Sequence, residues 1–239
     1  MKPGFWLCCL LTALCAGCGD GGVDGGDGSA PRATRVIAFY GDSLTFGSIA
    51  GPAGELARLS VPPVRRAQEL LGDGALAVDM SLPGATAADA LAGVAGMPFG
   101  PFADHVKTTA ATTLVLRYGG ADAVRGVPLP DFERNLSTMV GLAQAAGKTP
   151  LLVGVIAFHA NGGAMTQDLV ERADEFNAAV KRVAGAYNTG FADVRSVPVT
   201  FPDDLADPVH PAQAWSDRIT AAIVKHIAYP ASWTAKTPW

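Results

Sequence analysis

The sequence predicts an α/β fold, one parallel sheet with helices on both faces. Short apolar runs alternate with amphipathic segments between residues 34 and 230. Several of those runs are apolar throughout, as expected of strands covered on both sides. The chain has 239 residues, 49% hydrophobic and only 17% charged. That is enough for one well-buried domain of ordinary size and unlike a disordered chain.

Each element has its own warrant. Residues 36–40 (VIAFY) are the first strand. Pro62-Pro63 opens a helix that runs to Leu71, since proline is tolerated in a first turn. Its apolar residues Val64, Ala67, Leu70 and Leu71 fall at helical spacing. Residues 75–80 are the second strand, 85–94 a short alanine-rich helix, 112–118 (TTLVLRY) the third strand and 151–158 (LLVGVIAF) the fourth. Asp131 opens a helix through Gln144 that ends near Gly147. Residues 166–186 form a longer helix with Leu169, Ala173, Phe176, Ala179, Val180 and Val183 on one face. Residues 190–194 are the last strand, and Pro211 starts a closing helix to Ile227. Strands alternating with helices imply a parallel sheet, expected to have five strands in a flavodoxin-like order.

The termini read differently. Residues 1–18 resemble a bacterial lipoprotein signal peptide: Lys2 supplies the charge, and the apolar core 5–14 is too short to span a bilayer as a helix. Ala16-Gly17-Cys18 resembles a lipobox, with Cys15 standing where an aliphatic residue is usual. Lipid attachment at Cys18 is the expectation; ordinary signal cleavage and an uncleaved anchor are the alternatives. The protein is then exported to the cell envelope, in the outer membrane or periplasm, and meets the membrane only through that anchor. Residues 19–33, rich in Gly and Asp, read as a flexible tether, and 231–239 as a C-terminal tail. All four cysteines lie within residues 1–18. The domain therefore has neither a disulfide framework nor a cysteine metal site. A net charge of −4 without a basic block argues against nucleic-acid binding.

The chemistry is carried by two segments. Gly41-Asp42-Ser43-Leu44-Thr45 directly follows the first strand, where an α/β sheet presents its reactive groups. Asp207-Pro208-Val209-His210 places a carboxylate and an imidazole three residues apart. A serine hydroxyl is a weak nucleophile unless a base takes its proton, and a carboxylate on the other ring nitrogen fixes the tautomer. Ser43, His210 and Asp207 together supply nucleophile, base and orienting acid. Read separately, each segment has a plainer meaning. Asp42 or Ser43 serves as a helix N-cap, while Asp-Pro and His-Pro open a turn and a helix. His105, His159 and His226 are weaker candidates. Arg117, a charge inside an apolar strand, is expected to pair with a carboxylate such as Asp122, the alternative being that it helps shape the site.

The segments Phe39-Tyr40-Gly41-Asp42-Ser43-Leu44-Thr45 and Asp207-Pro208-Val209-His210-Pro211, in this order, resemble the first and last blocks of the GDSL, or SGNH, hydrolases. Gly84, in Ser81-Leu82-Pro83-Gly84-Ala85-Thr86, matches the glycine of the second block. The resemblance covers about residues 35–228. It implies a three-layer α/β/α fold, no metal or other cofactor, and hydrolysis of carboxylic esters through an acyl-serine. It also implies an oxyanion hole built from the backbone N–H groups of Ser43 and Gly84. The third block departs from the family: Gly119-Gly120-Ala121-Asp122 has Ala121 where an asparagine amide usually donates to the oxyanion. Asn161, past the fourth strand, is a substitute donor or simply a loop asparagine beside Gly162-Gly163. The Gly-x-Ser-x-Gly elbow of the α/β-hydrolases is absent. The expected substrate is a small-molecule or glycan ester with a short acyl or acetyl group. An O-acyltransferase on the same fold and a weak or non-catalytic binding module, suggested by Ala121, are the competing functions.

Overall fold

The computed structural model describes residues 35–51, 53–163 and 165–228. The expected signal peptide, Cys18, the tether and the C-terminal tail lie outside the described residues. The central sheet has five parallel strands: β1 (Arg35–Gly41), β4 (Ala75–Ser81), β5 (Thr113–Arg117), β6 (Thr149–Val153) and β7 (Gly190–Ala192). Their spatial order is β4-β1-β5-β6-β7. Counting the strands of this sheet along the chain, that is 2-1-3-4-5, the flavodoxin-like order. The register aligns Gly41 of β1 with Ser81 of β4 and Arg117 of β5. The carboxyl ends of three strands therefore meet at one place, where the order reverses and where ligands bind in open α/β sheets.

Helices cover both faces. On one side α2 (Pro63–Leu71) packs with α8 (Gln213–Ala228); on the other α6 (Leu129–Ala145) packs with α3 (Ala87–Ala92), α4 (Phe102–Thr108) and α7 (Gln167–Ala186). Ile37, Ala38, Phe39 and Tyr40 are all buried, which is why β1 reads as a continuous apolar run. Along α7, Ala173, Phe176, Ala179, Val180 and Val183 face the core, as their spacing predicts, and Thr166 caps the helix by accepting the Leu169 N–H.

Four differences from the sequence reading concern the site. The fourth strand stops at Val153 rather than Phe158. Val155, Ile156 and Phe158 stay buried, but the chain leaves the sheet after Gly154: the Gly154 N–H still donates to the Ala192 carbonyl of β7, whereas the Val155 N–H donates to Asn177 Oδ1. Burial without pairing produced the long apolar run. Two short helices, α1 (Ser43–Phe46) and α5 (Gly120–Val124), follow β1 and β5 directly; neither is long enough to show periodicity. The segment after α1 forms a small antiparallel hairpin, β2 (Ser48–Ala50) with β3 (Leu56–Arg58). The alanine-rich helix is shorter than 85–94: Thr86 caps α3 in a capping box with Asp89.

Candidate active site

The nucleophile segment is built from the end of β1. Gly41 is its last residue; a Cβ there would lie 2.7 Å from the Arg117 carbonyl and overlap the Thr45 side chain, so no larger residue fits between β1 and β5. The chain then turns sharply into α1. Asp42 caps the helix, its Oδ1 accepting the Leu44 N–H at 2.9 Å. The cap and the nucleophile candidate are therefore neighbours, not alternatives: Asp42 holds the turn and Ser43, the first helical residue, faces the cleft.

The loop before α8 brings in the other two groups. Ser43 Oγ lies 3.0 Å from His210 Nε2. On the far side of the ring, His210 Nδ1 lies 2.8 Å from Asp207 Oδ2 and 3.0 Å from Oδ1. With Nδ1 donating to the carboxylate, Nε2 is left to accept from the serine hydroxyl. The backbone N–H groups of Val209 and His210 donate to Asp207 Oδ1 at 2.8 and 2.9 Å. The Ala50 N–H, from hairpin strand β2, donates to Oδ2 at 2.8 Å. Burial pushes the Asp207 carboxyl up, but these amides and the imidazole outweigh it and hold the group below the usual carboxylate range. The Asp207 side chain is 8% exposed and that of His210 19%, so the pair is shielded but reachable.

Three further charges lie beneath this surface. Asp42 is 1% exposed, Arg117 6% and Asp122 0%. Asp42 Oδ2 accepts the Ala121 N–H at 2.9 Å, which ties α1 to α5. Burial raises the Asp42 carboxyl, opposed by its amide donors and by Arg117. Burial likewise brings the Arg117 guanidinium down to about 10, opposed by Asp42. Arg117 does not pair with Asp122 as expected. Its Nη1 donates to the Leu44 carbonyl at 2.9 Å. Asp122 instead accepts the N–H groups of Gly119 and Ala87, both at 3.1 Å. Asp122 is pushed up to about 7, first by burial and then by the negative charge of Asp42.

A pocket of about 220 Å3 opens beside Ser43 and His210, lined by Leu44, Gly84, Ala121, Val124, Phe158 and Val209, with Arg125 at its edge. Gly84 reaches it with a φ of +75°, a left-handed conformation that glycine adopts freely. The N–H groups of Ser43 and Gly84 have no hydrogen-bond acceptor among the described residues. The Ala121 methyl lines the pocket, and its N–H is taken by Asp42. Asn161 is not brought there. Its Oδ1 accepts the N–H groups of Gly163 and Met165, and its Nδ2 contacts the Pro208 carbonyl at 3.5 Å. It holds its own loop, as the plainer reading had it. The other histidines sit elsewhere: His105 bonds the Tyr40 hydroxyl, His159 stacks on Phe201 and His226 bonds the Ala222 carbonyl. Among the described residues no three His, Cys, Asp or Glu side chains are grouped to hold a metal ion.

Residues 39–216 match the model of the GDSL-like lipase/acylhydrolase family. The chain belongs to that family. It is a carboxylic ester hydrolase. A comparison with the curated proteins finds no match. Among solved structures, the chain is similar to Est24, a carbohydrate acetylesterase from Sinorhizobium meliloti, with 17% identity over 82% of this chain and 100% of the other and a TM-score of 0.65. It is also similar to an aryl esterase from M. smegmatis, with 16% identity over 82% and 99% and a TM-score of 0.66. A GDSL-like lipase from Bacteroides thetaiotaomicron gives 17% identity over 82% and 89% and a TM-score of 0.60. At these identities the likeness is one of fold.

Within this GDSL hydrolase, sequence reasoning missed Arg125 and the Ala50 amide. Arg125 stands four residues after Ala121, on the same side of a helical turn, a spacing that could have drawn attention to it. The Ala50 amide had no signal, because any residue but proline supplies it.

Proposed function

We propose that this hydrolase works through an acyl-serine, with Ser43 as nucleophile, His210 as general base and acid, and Asp207 as the carboxylate that orients the ring. The observation that carries this reading is the continuous contact from Ser43 Oγ through His210 to Asp207, at 3.0 and 2.8 Å. Ser43 Oγ attacks the ester carbonyl carbon while its proton passes to His210 Nε2. The carbonyl π pair moves onto oxygen, and the N–H groups of Ser43 and Gly84 receive the oxyanion. Collapse breaks the bond to the alkoxy oxygen, which leaves with the proton from His210. Water then attacks the acyl-serine, gives its proton to His210, and the second collapse returns that proton to Ser43 Oγ. Four donors to Asp207 outweigh its burial and keep it ionised while the imidazolium forms.

The substrate side of the proposal is a short acyl or acetyl ester. The pocket walls next to Ser43 are largely hydrocarbon, from Leu44, Ala121, Val124, Phe158 and Val209, which suits an acyl group rather than a sugar ring. The test is hydrolysis of p-nitrophenyl acetate and butyrate by the wild type and Ser43→Ala. A loss of at least roughly 1000-fold is expected, since the attacking atom itself is removed. Equal rates for the two proteins would sink the acyl-serine reading.

A further inference from the structure

Resting on the acyl-serine reading, we propose that Arg125 is a positioning residue that aims the Gly84 N–H at the oxyanion. Gly84 needs such a hold. Its φ of +75° lies in a region glycine leaves at little cost, and a side chain at this position would meet nothing within 4 Å. Gly84 is also exposed, so side-chain packing does little to fix its backbone. Within the turn itself, the Leu82 N–H donates to the Gly41 carbonyl at 3.0 Å and the Ala85 N–H to the Leu82 carbonyl at 3.1 Å. The second holds the Gly84–Ala85 peptide by its N–H alone, and neither involves the Gly84 N–H. Arg125 Nη1 donates to the Gly84 carbonyl at 3.2 Å and lies 2.6 Å from Asp89 Oδ2.

That contact is anchored at both ends. Asp89 Oδ2 accepts the Thr86 N–H at 3.0 Å, and the Asp89 N–H donates to Thr86 Oγ1 at 3.1 Å, so the carboxylate belongs to the rigid start of α3. Arg125 ends α5, whose Ala121 N–H is held by Asp42 and whose Asp122 holds the Ala87 N–H. A guanidinium fixed at the end of one element thus grips the peptide that follows Gly84 by its carbonyl, which limits rotation about the two backbone bonds that separate this carbonyl from the Gly84 N–H. The grip matters more in this chain than where a side-chain amide shares the oxyanion. With Ala121 in the third block, the two backbone donors act without that help.

The experiment measures kcat and KM of Arg125→Met, Arg125→Lys and Ser43→Ala on p-nitrophenyl acetate, with thermal unfolding of each. Arg125→Met keeps the aliphatic stem and removes the donors. Its kcat is expected to fall roughly 10- to 100-fold, the scale of a misaimed catalytic donor. KM should stay within about 2-fold, as for an interaction made in the transition state. The unfolding midpoint should move by less than about 4 °C, because an exposed ion pair contributes little. Arg125→Lys should recover part of kcat, since the ammonium still has a proton for the Gly84 carbonyl. An undiminished kcat in Arg125→Met overturns the proposal. So does a rise in KM alone, which would mean substrate contact. A Lys variant as slow as Met, with a midpoint that falls in both, overturns it in favour of a purely structural role. Full activity in Ser43→Ala would overturn the acyl-serine reading together with this one. A slow Ser43→Ala beside a fast Arg125→Met overturns only the role of Arg125.

Discussion

Ala121 is the residue at which this site departs from the usual arrangement of its family, and the structure says what the departure leaves. The backbone amide at that position serves Asp42 and the methyl group faces the pocket, so no part of residue 121 donates to a bound carbonyl. Restoring an amide there should help. Ala121→Asn is expected to raise kcat on p-nitrophenyl acetate by roughly 10- to 100-fold, somewhat less than the full effect of one oxyanion donor. An equal or lower rate would mean that another group already occupies the place. The residues proposed to bear the chemistry were legible in the sequence where their own types announce it. Ser43 after a strand, and Asp207 with His210 before a helix, combine functional groups that structure alone does not require together. The spacing of Arg125 from Ala121 could flag it, but its role was not legible, because that depends on a carbonyl 41 residues away, and an arginine at a helix end has many uses.

The elements around the site explain how short motifs keep their shape. The turn between β1 and α1 rests on one buried carboxylate. Asp42 satisfies the Leu44 and Ala121 amides and lies in the field of Arg117. Its removal would leave two amide donors without an acceptor and a buried cation without its counter-charge. Asp42→Ala is therefore expected to destabilise the fold by roughly 3–5 kcal/mol, read from urea unfolding. A change below about 1 kcal/mol, typical of a simple lost cap, would show that the network is looser than drawn. At this scale the sequence was readable where an element is long or continuously apolar, as in β1, β5, α6 and α7. It misled at residues 155–158, where burial came without strand pairing. It was silent on β2–β3, whose strands have three residues each and no consistent apolar face.

At the scale of the whole molecule, the buried charges set opposing responses to pH. Asp122 binds its proton up to about 7 when folded, against about 3.9 in an unfolded chain. Because this value is raised, its contribution is fully present below the unfolded value and is lost as pH rises through about 7. Asp207 and Asp89 are held below the ordinary value, so their contributions are present above it and are lost on acidification. Between pH 8 and pH 6 only the first effect operates among these carboxylates. Asp122 is expected to add stability as the pH falls through that window, by at most about 1.4 kcal/mol per pH unit, opposed by His105, whose burial holds its imidazole below the ordinary value and so costs stability as it takes up a proton. Asp122→Asn should flatten this slope in urea unfolding at pH 6, 7 and 8. A slope in Asp122→Asn equal to that of the wild type would contradict the assignment.

The hydrogen bond from Ala50 to Asp207 has a consequence for how catalytic assembly can be observed. It joins residues 157 positions apart and forms only when the hairpin and the acid-bearing loop are both seated. Exchange of that one amide proton with solvent thus reports the opening of the proposed triad from its acid end. The enzyme carries, in an otherwise unremarked backbone position, an indicator of how often its own machinery comes apart.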